Sequence, residues 1–185
     1  MPRTQFFCRL TVLQAVIAQA RCAEGKATLK KHRVLAVVAL LSAMACASVS
    51  WAQTFTANQA LVFGTFAPSA VAGTVTIPAV GIRSKSGGAY LIAFNTGAAA
   101  SFSVSGGGAN QPYAITLPGN GVVSLSLVGS PGTTMAVNGF SSSTSSGQLN
   151  GIGALIFTVG ATLSVGSNQP VGNYTGNFEV TINLQ

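Results

Sequence analysis

The chain has 185 residues, nearly half of them hydrophobic, and a formal net charge of +7. The charge is confined to one end, because seven of the nine basic residues lie in the first 33 positions and the charged residues from Thr54 onward are Arg83, Lys85 and Glu179. A binding surface for nucleic-acid phosphates needs clustered basic side chains, so we expect no nucleic-acid partner for the body of the protein.

The basic end leads into the pattern of a secretory signal peptide over residues 30–52. A basic run precedes an almost unbroken apolar run over 34–47, and Ser50 and Ala52 supply the small residues that precede a cleavage site. We predict a signal helix here, cleavage between Ala52 and Gln53, and export to the periplasm, the cell surface or the extracellular medium.

Two alternatives to cleavage are a membrane anchor and a lipoprotein. The apolar run is shorter than the ~20 residues that a membrane span needs, so we expect no membrane span after cleavage. A lipoprotein would be acylated at Cys46, but Ala43 stands where a larger aliphatic residue is usual.

Residues 1–29 form an upstream extension, although the signal peptide already has its own basic start. We interpret the extension as a miscalled start codon, with translation beginning at Leu29 read as an initiator Met. A functional extended leader is the alternative, because residues 6–20 are themselves rather apolar. All three cysteines precede residue 53, so the mature chain cannot form a disulfide.

Short segments of alternating apolar and polar residues follow, separated by Gly, Pro and Asn turn signals. The alternation predicts strands over 59–66, 73–77, 89–94, 101–105, 113–117, 122–128 and 133–140. Residues 81–88 and 141–147 lack apolar alternation, and we predict solvated loops there.

The last thirty residues carry the clearest period of two. It predicts one strand over 155–165 and another over 174–185, joined by a Gly/Pro/Asn loop into a long antiparallel hairpin. Thr181 and Asn183 should face outward. The predicted core residues are Phe157, Val159, Leu163, Phe178, Val180 and Ile182.

About nine short strands, with no helical period after residue 52, predict an all-β fold. We expect residues 53–185 to form a single antiparallel, immunoglobulin-like β-sandwich. A closed outer-membrane barrel also alternates, but most segments are shorter than the ~9–11 residues of a membrane strand, and the mature chain has no Trp for an interfacial girdle.

The mature chain offers little for catalysis or metal binding. It has no His, Cys or Asp, and Glu179 is its single carboxylate side chain, so we expect no enzyme activity, no cofactor and no metal site built on those ligands. The run from Ser84 to Ser86 places hydroxyls beside Lys85, but adjacent residues of an extended chain point apart. Glu179 could face Arg83 or Lys85 as a weak surface ion pair.

The tyrosines begin or flank strands. We predict Tyr90, Tyr113 and Tyr174 as core residues rather than as a platform that binds sugars. Tyr174 could act as a corner residue whose hydroxyl ties the last strand to a neighbouring loop.

Six segments carry a resemblance to a bacterial family called domain of unknown function 4402, spanning nearly all of residues 59–185. They are Leu61-Val-Phe-Gly-Thr-Phe66, Ser86-Gly-Gly-Ala-Tyr-Leu91, Tyr113-Ala-Ile-Thr-Leu-Pro118, Met135-Ala-Val-Asn-Gly-Phe140, Phe157-Thr-Val-Gly-Ala-Thr-Leu163 and Gly172-Asn-Tyr-Thr-Gly-Asn-Phe178. The pattern is also similar to the spore coat protein U group and to chaperone-usher pilins, which implies an immunoglobulin-like sandwich and a surface or fimbrial role. The chain lacks the cysteine pair of many pilins, and the family has no assigned activity.

These observations predict an exported structural protein, pilin-like or associated with fimbriae. An extracellular module that binds carbohydrate or another surface is the alternative. In a pilus-type assembly with a periplasmic chaperone, Phe55 and Ala57 would form a donor segment that extends into a neighbouring subunit. The other reading is that this segment frays, or lengthens the first strand of its own domain.

Overall fold

A computed structural model describes residues 6–8 and 53–185, and all of its regular structure in these ranges is β-strand. The predicted signal peptide with its helix, Ala52 of the cleavage site and most of the upstream extension lie outside the described residues. The strands are β1 (Phe6–Cys8), β2 (Thr54–Gln59), β3 (Phe66–Ala67), β4 (Gly73–Ile77), β5 (Ser84–Gly87), β6 (Tyr90–Leu91), β7 (Ala100–Ser105), β8 (Pro112–Thr116), β9 (Val123–Leu127), β10 (Ser130–Ser142), β11 (Ser146–Gln148), β12 (Leu155–Val165), β13 (Tyr174–Gly176) and β14 (Thr181–Leu184).

One large sheet is built around β12. Its strand order is β1-β13-β9-β10-β12-β4-β5, and β7 branches from β12 and carries β2 on its far side. All of these pairings are antiparallel except that of β1 with β13, which is parallel. The first half of β12 pairs with β7 and the second half with β4, while β10 covers the other edge.

Gly160 lies where the partner of β12 changes from β7 to β4. A Cβ atom at this position would collide with the backbone around Ile77 and Pro78. A residue without a side chain therefore lets β4 approach β12 closely enough to continue the sheet.

The predicted hairpin of the last two strands is wrong. Both edges of β12 are occupied by other strands, so β13 pairs with β9, and β14 pairs with β8 in a separate three-stranded sheet of order β11-β8-β14. Residues 177–180 cross from one sheet to the other. The predicted strand over 174–185 is thus two strands, although the burial alternation runs through both.

The core lies where the alternation predicts it. All six predicted core residues are buried, Asn183 is exposed, and Thr181 is half-buried at the start of β14. Phe178, on the crossing segment, meets the ring of Phe102 edge-on at 6.4 Å and the ring of Phe140 at 5.2 Å. This one ring therefore connects the crossing segment to the interior face of the large sheet.

Several other predicted boundaries are corrected by the structure. The predicted loop over 81–88 contains β5, and the predicted loop over 141–147 contains the end of β10 and most of β11, because exposed polar strands pair through their backbone without apolar alternation. The predicted strand over 89–94 is reduced to β6, which pairs with β3. The predicted strand over 59–66 is wrong, because only its ends, Gln59 in β2 and Phe66 in β3, lie in strands, and Gly64 has a φ of 76° outside the β region.

Candidate functional site

The three charged side chains of residues 53–185 do not form a cluster. Arg83 precedes β5, Lys85 lies within it, and Glu179 lies on the crossing segment between β13 and β14. The described residues contain no group of three or more His, Cys, Asp or Glu that could hold a metal ion. In the same part of the chain, no helix is long and apolar enough to span a membrane.

The Ser84 to Ser86 run lies on the exposed strand β5, and Lys85 has another partner. Its Nζ atom lies 5.4 Å from the centre of the Tyr90 ring, a cation–π contact. The prediction of Tyr90 as a core residue is wrong, because 60% of this residue is exposed.

Arg83 binds main-chain carbonyls. Its Nη1 donates to the carbonyls of Phe63 at 2.9 Å, Thr65 at 3.1 Å and Asn95 at 3.4 Å. Its Nη2 donates to the carbonyl of Ile92 at 2.8 Å. Partial burial lowers the pKa of the Arg83 guanidinium below its ordinary value. We call this arrangement the Arg83 clasp, because it joins the 63–65 turn to residues 92–95.

The backbone around the clasp explains two residue types: Gly64 in the Leu61 to Phe66 motif, and Asn95 in the turn that faces it. Gly64 and Asn95 both have positive φ angles, of 76° and 59°. A Cβ atom on Gly64 would collide with Nη1 of Arg83 and with the Asn95 carbonyl, so only glycine fits there. Two backbone hydrogen bonds of 2.8 Å between Val62 and Ala98 hold the chain together beside Gly64.

The segment that contains Arg83 exposes several large apolar side chains. Residues 80–94, which we call the 80–94 segment, expose 77% of Val80, 90% of Ile82 and 59% of Phe94. Tyr90 and Ile92 of the same segment are also exposed. Arg83 follows Ile82 directly and donates hydrogen bonds to the carbonyls of Ile92 and Asn95, so the backbone at Arg83 lies beside that of residues 92–95.

Glu179 lies in a groove of about 460 Å³, which we call the Glu179 groove. The groove runs between the end of β8, the start of β9 and the crossing segment. Its lining is mostly apolar. The lining residues are Thr116, Leu117, Pro118, Val122, Val123, Asn177, Phe178, Glu179 and Thr181.

The corner role predicted for Tyr174 is confirmed. Its hydroxyl donates to the Pro170 carbonyl at 2.6 Å and accepts from Nε2 of Gln169 at 2.9 Å, and the residue is buried. The side chain therefore ties β13 to the loop that precedes it. Tyr113 is buried as predicted, with its hydroxyl 2.9 Å from that of Thr144.

The structure pairs the predicted donor segment within its own domain. β2 lies antiparallel to β7, and the Phe55 ring stacks on Phe102 with 5.6 Å between ring centres. Phe55 is half-buried, whereas Ala57 and Gln53 are exposed. The segment thus extends its own sheet as an edge strand.

The prediction of a solvated loop at Arg83 is wrong, and no sequence pattern indicates the clasp or the groove. The positive-φ residues Gly64 and Asn95 mark both turns of the clasp, but no local pattern shows that one guanidinium joins them.

Comparison with known proteins identifies the family. No curated protein and no solved structure matches the chain. The family model described as "Domain of unknown function (DUF4402)" matches residues 54–184, which include β2 to β14. The chain therefore belongs to the DUF4402 family.

Proposed function

We propose that this chain is an exported structural protein of the cell surface, pilin-like or fimbria-associated, which acts through its surfaces and catalyses no reaction. The observation that carries the proposal is how the domain uses its charged side chains. The Arg83 guanidinium donates hydrogen bonds to four carbonyls, Lys85 lies over an aromatic ring, and Glu179 lies in a groove formed by β8, β9 and the crossing segment. A catalytic acid and base must reach the same substrate atoms, and these groups are dispersed.

The proposal includes an immunoglobulin-like sandwich for residues 53–185. In this arrangement the β11-β8-β14 sheet covers the core face of the large sheet. Two observations support it: Phe178 packs on Phe102 of β7, and the Tyr174 hydroxyl bonds a carbonyl four residues upstream, as in the tyrosine corners of such sandwiches. Assembly with the help of a periplasmic chaperone belongs to the same proposal.

The location of the protein tests this role. Cells that express the full chain should release or display a species whose N-terminus is Gln53, accessible to protease added to intact cells. Ala52→Tyr should block this cut, since a large side chain does not fit the cleavage site. Ala70→Tyr, at an exposed position of the domain, is the matched control and should be cut normally. An uncut protein that is found only inside intact cells would contradict the proposal.

The Glu179 groove favours a second candidate, an extracellular carbohydrate-binding module. Its volume of about 460 Å³ falls within the range typical of small-ligand sites, and Glu179 and Thr181 add polar groups to its apolar lining. A glycan array probed with the exported protein tests this candidate. A specific hit that is lost in Glu179→Gln would favour it over a purely structural role.

A further inference from the structure

We propose that copies of this protein associate head to tail, with the 80–94 segment of one copy seated in the Glu179 groove of the next. The inference rests on the proposed structural role and names its partner, a second copy of the same chain. Charge, apolar surface and the position of the two surfaces in the fold point to a second copy as the occupant of the groove.

Charge is complementary between the two surfaces. From residue 53 onward the two cationic side chains, Arg83 and Lys85, both belong to the 80–94 segment. The single carboxylate side chain of the same range, Glu179, lines the groove. Opposite charges at the rim of a contact fix its orientation and raise the rate of association.

Both surfaces also expose apolar side chains to water. The 80–94 segment exposes 90% of Ile82 and 59% of Phe94, and the groove is lined by Leu117, Pro118 and Val122, the last 73% exposed. Seating the apolar side chains of the 80–94 segment in the Glu179 groove would remove both apolar surfaces from water. Burial of apolar surface is the main favourable contribution to association. Because the Arg83 clasp already holds residues 92–95, the segment loses little freedom on binding.

The two surfaces are built from different strands. The 80–94 segment contains β5, the last strand of the large sheet, whereas the groove includes the start of β9; β10, β12 and β4 lie between these strands. Different patches on the two partners make a heterologous contact. Such a contact propagates from copy to copy into a chain or ring, whereas a self-complementary contact would stop at a dimer.

The apolar part of the contact is tested by sedimentation velocity over a concentration series, with the full chain as exported and processed by the cell. Wild type should form a concentration-dependent series of oligomers. Ile82→Ser should weaken each step by at least about tenfold, because it removes an apolar anchor. Ile152→Ser is the matched control, since Ile152 is 83% exposed in the turn after β11 and should associate like wild type.

The orientation is tested by exchanging charges. Lys85→Glu and Glu179→Lys should each weaken association by about tenfold, because each places like charges at the contact. An equimolar mixture of the two variants should regain association, since each segment then meets a groove of opposite charge. High salt should weaken wild type and the mixture alike.

The proposal is overturned by wild type that stays monomeric at millimolar concentration. It is equally overturned if Ile82→Ser and Ile152→Ser behave alike, if the mixture does not recover, or if a glycan occupies the groove while the protein is monomeric. A monomer found at the cell surface would refute only this inference. Association of a protein that is never exported would refute only the proposed function.

Discussion

Arg83→Ala should destabilise the domain by far more than the loss of a surface charge. The guanidinium bonds four carbonyls from the 63–65 turn and residues 92–95. The carbonyls of Asn95 and Thr65 keep a second donor after the substitution, the amides of Thr65 at 2.9 Å and Ile92 at 3.1 Å. The Phe63 carbonyl, on a residue that is 1% exposed, loses its guanidinium partner.

The expected loss of stability follows from these hydrogen bonds. A buried polar group that loses its partner costs about 1–3 kcal/mol, and a hydrogen bond from a charged donor contributes about 1.5–3 kcal/mol. Partial exposure of the guanidinium reduces the second contribution. We therefore expect Arg83→Ala to lower the free energy of unfolding by about 2–4 kcal/mol. Arg83→Lys should recover only part of this, because an ammonium group lacks the planar fork that spans both sides of the clasp.

Urea unfolding of the purified protein measures the effect. The control is Lys85→Ala, two residues further along on the exposed strand β5, which should stay within about 0.5 kcal/mol of wild type. Hydrogen exchange at the Thr65 and Ile92 amides should accelerate in Arg83→Ala, because these amides lie inside the clasp. An Arg83→Ala variant as stable as the Lys85→Ala control would refute the reasoning.

Three further substitutions test the core and its attachments. Phe178→Ala should cost about 3–5 kcal/mol, since the ring is 4% exposed and packs on Phe102, whereas Thr181→Ala should be mild; a melting temperature within a degree or two of wild type for Phe178→Ala would contradict its placement. Tyr174→Phe should cost about 1–2 kcal/mol in thermal unfolding, because it removes the corner hydrogen bond, and an unchanged stability would mean that water replaces it. Phe55→Ala should cost about 1–2 kcal/mol at every protein concentration, since the half-buried ring packs within its own domain; a concentration-dependent loss would instead indicate strand exchange.

The bounds of a strand are predicted most accurately from the sequence where the strand has one buried face and one polar face. The predicted bounds 155–165 and 73–77 coincide with β12 and β4, and in both strands every second residue from Phe157 and from Val75 is buried. Burial of the core follows from the same period, because the side chains of a strand alternate between its two faces whichever strand lies beside it.

Strand partners were much harder to predict. The period of two continues through residues 174–184 although the chain changes sheets at 177–180. Phe178 and Val180 stay buried during the crossing, so the alternation contains no sign of the break. One edge of β12 is taken by β10 and the other by β7 and β4 from more distant parts of the chain, a consequence of the whole topology that no local pattern encodes.

The sequence does not indicate the Arg83 clasp, for a related reason. An arginine in a polar stretch ordinarily indicates a solvated loop, and the carbonyls that bind it come from two other segments. Carbonyl groups belong to every residue, so the sequence does not mark which of them an arginine will bind. What the sequence does mark is Gly64 and Asn95, whose backbone conformations the clasp requires.

Composition adds a physical reason for self-association. Two cations and one carboxylate leave the side chains of residues 53–185 with a net charge of only +1, so copies of the domain repel one another weakly. Proteins with a net charge near zero associate more readily than highly charged ones. Because these few charges lie on two separate surfaces, an electrostatic preference between copies favours the 80–94 segment against the Glu179 groove over either surface against itself.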